Sequence, residues 1–200
     1  MALTYDFAGD GALSTDWTKT TGGAIGVTRQ SGVGKLSEEW YDYEYLYVWN
    51  TNQPPNDQYA QIDLGGYESV NNKGGPAVRC DLVDGDGYSI RASNVSGLVY
   101  IWRWDDGSST QLAYGGEAGA ATYKLIVTGT GLSALKDDVE QTSTSDETYS
   151  SGYAGFFYYG YAGEGNQLEV DDWEASDGGA AATAIIIPKV MYLNRKRRTT

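Results

Sequence analysis

The chain has 200 residues, 13% of them aromatic, and a formal net charge of −13. One domain of this length can bury a substantial core, and its acidic balance argues against nonspecific binding of the folded body to nucleic acid. The sequence contains no histidine and a single cysteine, Cys80. These facts exclude Ser-His-Asp and Cys-His catalytic sites, histidine-ligated zinc sites and an intrachain disulfide.

Short alternating runs separated by Gly, Asp, Asn and Ser predict an all-β chain of many antiparallel strands. In chain order the predicted strands are 3–7, 24–28, 40–49, 58–64, 77–83, 88–92, 99–104, 110–114, 123–128, 131–136, 139–144, 153–159 and 167–175. Asp-Gly pairs supply the positive φ that tight turns require, so segments 84–87 and 105–107 are predicted hairpin turns. Asp137 and Asp138 predict a further turn.

Aromatic residues alternate along several predicted strands and therefore share a face. On strand 40–49 these are Tyr41, Tyr43, Tyr45, Tyr47 and Trp49. On strand 99–104 they are Tyr100, Trp102 and Trp104. A single dry core cannot bury so many aromatic faces. We therefore expect at least one stripe of aromatic side chains to lie on a surface or in a shallow groove.

Several segments resemble the concanavalin A-like lectin/glucanase (LamG-type) jelly rolls. Segment 123–139 is similar to a strand–turn–strand unit of these domains, and 151–159 resembles their Gly-x-x-Gly-aromatic strand. Segment 168–175, with Asp171, Asp172 and Trp173, resembles their closing strand, and 5–7 followed by Asp16 and Trp17 resembles their opening strand and first loop. The resemblance implies an antiparallel two-sheet jelly-roll sandwich over residues 1–177, with both ends of the domain side by side.

The same resemblance bears on catalysis. Glucanases of this superfamily carry Glu-x-Asp-x-Glu or Glu-x-Asp-x-x-Glu on one strand face. The nearest string here is 40–44, where Trp40 replaces the first glutamate and only Asp42 and Glu44 remain. One retained pair does not support the two-step retaining reaction, so the chain is predicted not to be an enzyme.

Two interpretations of the aromatic stripes stay open. The side chains of Tyr41, Tyr43, Tyr45, Tyr47, Trp102 and Trp104 could stack on sugar rings, or they could form sheet-to-sheet core or a subunit interface. The carboxylates of Asp84 and Asp86, near Asp81, could bind calcium, although a plain turn is the favoured interpretation. No other cofactor is predicted.

Residues 178–200 differ from the rest of the chain, because they hold five of its 14 basic residues and none of its 27 acidic ones. We predict a boundary at 177, followed by a Gly- and Ala-rich hinge, an apolar segment and a basic end. The segment could add a strand to a neighbouring sheet, and the basic end could pair with acidic groups. The residues of this predicted assembly tail are Ile185, Ile186, Ile187, Tyr192, Leu193, Arg195, Lys196, Arg197 and Arg198.

Three hypotheses for function follow. The leading one is a noncatalytic virion component, such as a phage capsid decoration, head-surface or tail-attachment protein, docked by its tail to other assembly proteins or to copies of itself. The alternative is a carbohydrate-binding module, and a glycan hydrolase or lyase is third. Neither a signal peptide nor an apolar run of about 20 residues is recognised. The predicted location is therefore the virion, assembled in the host cytoplasm, or otherwise the cytoplasm. We predict no membrane contact, and contact with nucleic acid only through the basic tail.

Overall fold

A computed structural model describes residues 2–21, 27–36, 43–65, 72–160 and 168–177. These residues form β-strands and turns without a helix, which confirms the all-β prediction. Among them, no helical segment has the length and apolarity needed to span a membrane. The strands are β1 (Leu3–Tyr5), β2 (Gly11–Ala12), β3 (Trp17–Thr21), β4 (Val27–Gln30), β5 (Val33–Leu36), β6 (Tyr43–Trp49), β7 (Gln58–Gly65), β8 (Lys73–Cys80), β9 (Gly87–Ser93), β10 (Leu98–Asp105), β11 (Ser108–Gly115), β12 (Ala121–Thr128), β13 (Gly131–Lys136), β14 (Val139–Ser145), β15 (Tyr153–Gly160) and β16 (Glu169–Asp177).

The strands build two antiparallel sheets. The nine-stranded sheet has the order β14-β13-β12-β7-β16-β5-β4-β2, and β1 also pairs with β16. The seven-stranded sheet has the order β11-β10-β9-β8-β15-β6-β3. Residues Leu3 and Tyr5 of β1 pair with Ala175 and Trp173 of β16, so the two ends of the domain lie side by side. This arrangement is the antiparallel two-sheet jelly-roll sandwich that the sequence resemblance implies.

Tight turns between neighbouring strands occur where the sequence predicts them. Asp106 and Gly107 connect β10 and β11 with φ values of 47° and 72°. Asp137 and Asp138 connect β13 and β14 with φ values of 49° and 63°. Two successive residues with positive φ match the twist of the flanking strands, and aspartate tolerates this conformation better than most residues.

The core lies between the two sheets and is centred on Trp173 of β16. Its indole ring is 4.8 Å from the ring of Trp17 and 5.4 Å from that of Trp49, between ring centroids. The indole N–H donates a hydrogen bond of 3.0 Å to the carbonyl oxygen of Gly155 on β15. Trp173 therefore connects the two sheets through both ring packing and a buried hydrogen bond.

The tyrosines of β6 correct one sequence-based prediction. Tyr45 and Tyr47 are 0% and 5% exposed and belong to the core, so at these positions the sugar-stacking interpretation is wrong and the sheet-to-sheet core interpretation holds. The reason is that β6 lies inside its sheet, between β15 and β3, with this face against the nine-stranded sheet. The hydroxyl of Tyr47 accepts a 2.6 Å hydrogen bond from the backbone N–H of Val27, and its ring stacks on Phe156. Tyr41 and the side chain of Tyr43 lie outside what the structure describes.

Buried tyrosines make the stability of the fold depend on pH in the alkaline range. Burial raises the pKa of Tyr47, Tyr88 and Tyr123 from 10 to about 12. The protonated phenol is favoured in the folded state, so its contribution is complete below pH 10 and is lost as the pH rises towards 12. We expect the melting temperature to fall between pH 10 and pH 12. The absorbance of tyrosinate should appear at a higher pH than it does for a solvent-exposed tyrosine.

Tyr123→Phe tests the origin of this pH dependence, and Tyr114→Phe is its matched control, because Tyr114 is 60% exposed. Tyr123→Phe is expected to flatten the fall in melting temperature, whereas Tyr114→Phe should leave the curve unchanged. An identical pH profile for wild type and Tyr123→Phe would contradict the account.

The predicted hinge and assembly tail, residues 178–200, lie outside the described residues. Strand β16 ends at Asp177, the last residue that the structure describes. The boundary at 177 and the role of the tail accordingly remain predictions.

Candidate functional site

The seven-stranded sheet has an aromatic and apolar outer face, pointing away from the core. On β15, Phe156 and Tyr158 belong to the core, whereas the intervening Phe157 packs in a second, separate cluster. This alternation places the second cluster on the outer face. Its buried members are Leu46, Val48, Ala77, Cys80, Trp104, Phe157 and Tyr159.

Arg91 of β9 occupies the middle of this face. Its guanidinium carbon lies 4.2 Å from the ring centroid of Trp102 and 4.5 Å from that of Trp104. Phe157 provides a third ring at 4.7 Å. Arg91 lies on the outer face of the sheet but is only 5% exposed, because the surrounding rings cover it.

Glu44 of β6 neutralises Arg91. Two contacts join the side chains, from Nη1 to Oε1 at 3.2 Å and from Nη2 to Oε2 at 3.3 Å. Burial lowers the pKa of Arg91 to about 10, and the charge of Glu44 opposes that shift. Arg91 therefore stays protonated at neutral pH, and the pair forms a fixed ionic support beneath the aromatic rings.

A row of aromatic rings continues from this support towards the edge of the sheet. The ring of Tyr100 lies 6.4 Å from that of Trp102 and 5.9 Å from that of Tyr114. Tyr100 and Trp102 are half-buried, and Tyr114 is 60% exposed. Trp104 is instead 5% exposed and donates a hydrogen bond to Ser89, so of the two predicted tryptophans Trp102 alone is substantially accessible.

A pocket of about 270 Å³ opens beside these rings. Its lining residues are Lys73, Arg91, Ser93, Val95, Ser96, Tyr100, Trp102 and Gln111. Lys73, at the start of β8, places its ammonium 4.5 Å from the centroid of the Tyr159 ring. The pocket thus combines aromatic walls with cationic and neutral hydrogen-bonding side chains, a composition typical of ligand sites.

Sequence reasoning missed most of this pocket. Arg91 carried the one usable signal, since it is a charged residue within the predicted strand 88–92. Lys73 and Gln111 gave no local signal, because the pairing of β8, β9, β10 and β11 brings them to the same region. Tyr100 was recognised as sharing the face of Trp102, but it was not predicted as a site residue.

Carboxylates do not line the pocket within the described part of the chain. Glu44 is held by Arg91, and Trp40 and Asp42 lie outside the described residues. Glycosidases need two carboxyl groups, about 5–5.5 Å apart for retention or about 6.5–9.5 Å apart for inversion. The described residues of the pocket do not supply such a pair.

The acidic turn predicted as a calcium alternative is held by its own backbone. The Asp81 carboxylate accepts hydrogen bonds from the N–H groups of Val83 and Asp84, at 2.8 and 2.7 Å, and the first cause of its lowered pKa is the bond from Asp84. The Asp86 carboxylate accepts a bond from the N–H of Asp106. These contacts describe a turn, and the assignment of calcium to Asp84 and Asp86 remains a prediction.

A second cluster of acidic side chains lies at the nine-stranded sheet. Ligand atoms of Asp6, Asp171 and Asp172 lie within 4.8 Å of one another. The pKa of Asp171 is raised, first by burial and then by the charges of Asp172 and Asp6. Three carboxylates could contribute oxygen ligands to a hard cation such as calcium.

Comparison with known proteins identifies the fold. No protein-family model and no curated protein matches the sequence. A carbohydrate-binding module (CBM66) from Bacillus subtilis superposes with a TM-score of 0.58 at 17% identity, covering 82% of this chain and 93% of that one. The Bacillus licheniformis β-glucanase gives 0.60 at 13% identity, covering 88% and 97%. The Emp47p carbohydrate recognition domain gives 0.61 at 12% identity, covering 88% and 95%.

The fold is a concanavalin A-like jelly roll. At these identities the likeness establishes architecture alone, and the similar structures include a β-glucanase, a carbohydrate-binding module and a carbohydrate recognition domain. The resemblance read from the sequence is thereby confirmed for the fold.

Proposed function

We propose that this protein is a noncatalytic carbohydrate-binding domain whose site is the pocket on the outer face of the seven-stranded sheet. The observation that carries the proposal is the row of accessible rings, Tyr100, Trp102 and Tyr114, beside a pocket with polar walls. Aromatic faces pack against the apolar C–H faces of sugar rings, while Ser93, Ser96 and Gln111 can hydrogen-bond to hydroxyl groups.

The noncatalytic part of the proposal rests on the site's charges. Glu44 lies next to the pocket residue Arg91, and both terminal nitrogens of Arg91 contact its carboxylate. A general acid needs a free carboxyl group and a partner carboxylate across the glycosidic bond. The pocket instead offers rings, cations and hydrogen-bonding groups, which suit binding.

The comparisons support glycan recognition over the leading sequence-based hypothesis. Similar structures are described as a carbohydrate-binding module, a carbohydrate recognition domain and β-glucanases. The virion role was predicted from the start of the sequence and from the tail, the virion or cytoplasmic location from the missing signal peptide, and self-association from the tail, which lies outside the described residues. They remain predictions that no described residue addresses.

Affinity electrophoresis through gels containing soluble polysaccharides tests the proposed function. The full chain is expected to be retarded by at least one polysaccharide, and Tyr100→Ala should weaken that binding by about tenfold, equivalent to about 1.4 kcal/mol. The expected loss has a local cause, because the ring of Tyr100 contacts Trp102 and Tyr114 on the outer face.

Tyr59→Ala is the matched control. Tyr59 is also half-buried, but it lies on β7 of the nine-stranded sheet, where its hydroxyl bonds to Glu174. Tyr59→Ala should leave retardation unchanged. Equal weakening by both substitutions, or retardation that Tyr100→Ala does not alter, would count against this site.

A further inference from the structure

Three nitrogen atoms at the pocket, one each from Lys73, Arg91 and Trp102, have no acceptor among the described residues. The Lys73 ammonium contacts the ring of Tyr159 and forms no ion pair with any residue that the structure describes. Arg91 Nε and Trp102 Nε1 are buried and have no hydrogen-bond partner among the described residues. Because these two nitrogen atoms are buried, a ligand in the pocket does not reach them, and the Lys73 ammonium is the pocket donor that favours a ligand with acceptor oxygens.

The charge of the pocket indicates whether the acceptor oxygens of the ligand are anionic or neutral. Arg91 and Glu44 neutralise each other, and Lys73 therefore leaves this group of side chains with one excess positive charge. A carboxylate or sulfate ester accepts charge-assisted hydrogen bonds, which are stronger than those to a neutral hydroxyl. The excess charge of Lys73 therefore favours an anionic substituent.

The overall charge of the chain opposes anion binding from a distance. The net charge of −13 repels anions at long range. At physiological ionic strength that repulsion is screened beyond about 8 Å. A polyanion therefore gains no attraction from the overall charge of the protein, and its affinity depends on short-range contact with Lys73.

The dimensions of the pocket fit a single acidic sugar unit. Lys73 and Tyr100 lie on β8 and β10, which are separated by β9. With neighbouring strands about 4.8 Å apart, their backbones are separated by roughly 10 Å. That span accommodates a sugar ring packed on Tyr100 and an acidic substituent directed towards Lys73.

We propose, resting on the carbohydrate-binding function above, that the pocket recognises the acidic unit of an anionic glycan. The sugar ring packs on Tyr100 and Trp102, and its carboxylate or sulfate ester pairs with the Lys73 ammonium. Neutral glycans can use the same rings but leave the donors of Lys73 without an anionic partner.

Two pairs of polymers that differ mainly in charge test this assignment. One pair is polygalacturonate and its fully methyl-esterified form, and the other is a sulfated galactan and agarose. Binding of each polymer to the full chain is measured for wild type, Lys73→Met, Lys73→Arg and the control Lys124→Met. Lys124 lies on the nine-stranded sheet, where it pairs with Asp138 at 2.6 Å. Methionine retains a favourable contact with the ring of Tyr159, so Lys73→Met should remain folded.

Wild type is expected to bind at least one charged polymer roughly tenfold more tightly than its uncharged partner, with added salt reducing the difference. Lys73→Met should abolish this preference, whereas Lys73→Arg and Lys124→Met should retain it. Preference within the first pair assigns a carboxylate, and preference within the second assigns a sulfate ester. Binding without charge preference, or a preference that survives Lys73→Met, overturns the anionic assignment while sugar binding stands. Failure of wild type to bind any of the four polymers or any other glycan overturns both proposals.

Discussion

Trp173→Ala is expected to lower the free energy of unfolding by about 3–5 kcal/mol, the range for removing a large buried aromatic side chain. Trp173 is 1% exposed and packs between Trp17 and Trp49. Its removal leaves a cavity between the sheets and deletes the hydrogen bond to the Gly155 carbonyl. Urea denaturation followed by circular dichroism measures the change.

Trp173→Phe keeps this prediction testable if the alanine variant does not fold. Phenylalanine retains part of the packing but cannot donate to the Gly155 carbonyl, so it should destabilise less than alanine. Tyr114→Ala is the surface control, expected to change stability by no more than about 0.5 kcal/mol. Comparable losses for Trp173→Ala and Tyr114→Ala would refute the central packing role of Trp173.

Arg91→Ala is expected to have the largest combined effect on stability and binding. The guanidinium packs against Trp102, Trp104 and Phe157 and pairs with Glu44. Loss of a partly desolvated cation–π group and of charged hydrogen bonds should cost about 3 kcal/mol. Glycan binding should fall further than in Tyr100→Ala, because Trp102 loses the group that supports its ring.

Arg91→Lys separates charge from shape. Lysine keeps the positive charge but lacks the planar group that stacks on the rings and binds Glu44 through two nitrogens. We expect Arg91→Lys to be intermediate in stability by denaturant titration and still weakened in glycan binding. Full binding by Arg91→Lys would show that charge alone supports the site.

The sequence predicted the fold well where local signals and topology agreed. Alternation predicted strands at 40–49 and 153–159, and the structure describes strands at Tyr43–Trp49 and Tyr153–Gly160. The Asp-Gly turn at 106–107 closes the predicted hairpin. Strands β2, β3 and β5 were missed. The two residues of β2 are too few for a pattern, and Gly34 and Lys35 leave β5 without alternating apolar residues. The hydroxyl-rich composition of β3 resembles a loop more than a strand.

The aromatic stripes show why the site was only partly predictable. Alternation correctly grouped Tyr45 with Tyr47, and Tyr100 with Trp102, but it does not say which face meets the other sheet. That depends on strand order, which buries the β6 stripe and leaves the β10 stripe on the outer face. Lys73 reaches the pocket through pairing with Ser93 and Tyr159, contacts between segments distant in sequence.

A ¹H–¹⁵N NMR titration tests the central claim most directly. The full chain is titrated with an oligosaccharide of the polymer that retards it most strongly, and the indole N–H signals are assigned by Trp→Phe substitutions. The account predicts shifts for the Trp102 indole and for the backbone amides of Arg91 and Ser93, with the Trp17 and Trp173 indoles unchanged. Shifts confined to the nine-stranded sheet, for example at Lys124 and Asp171, would contradict it.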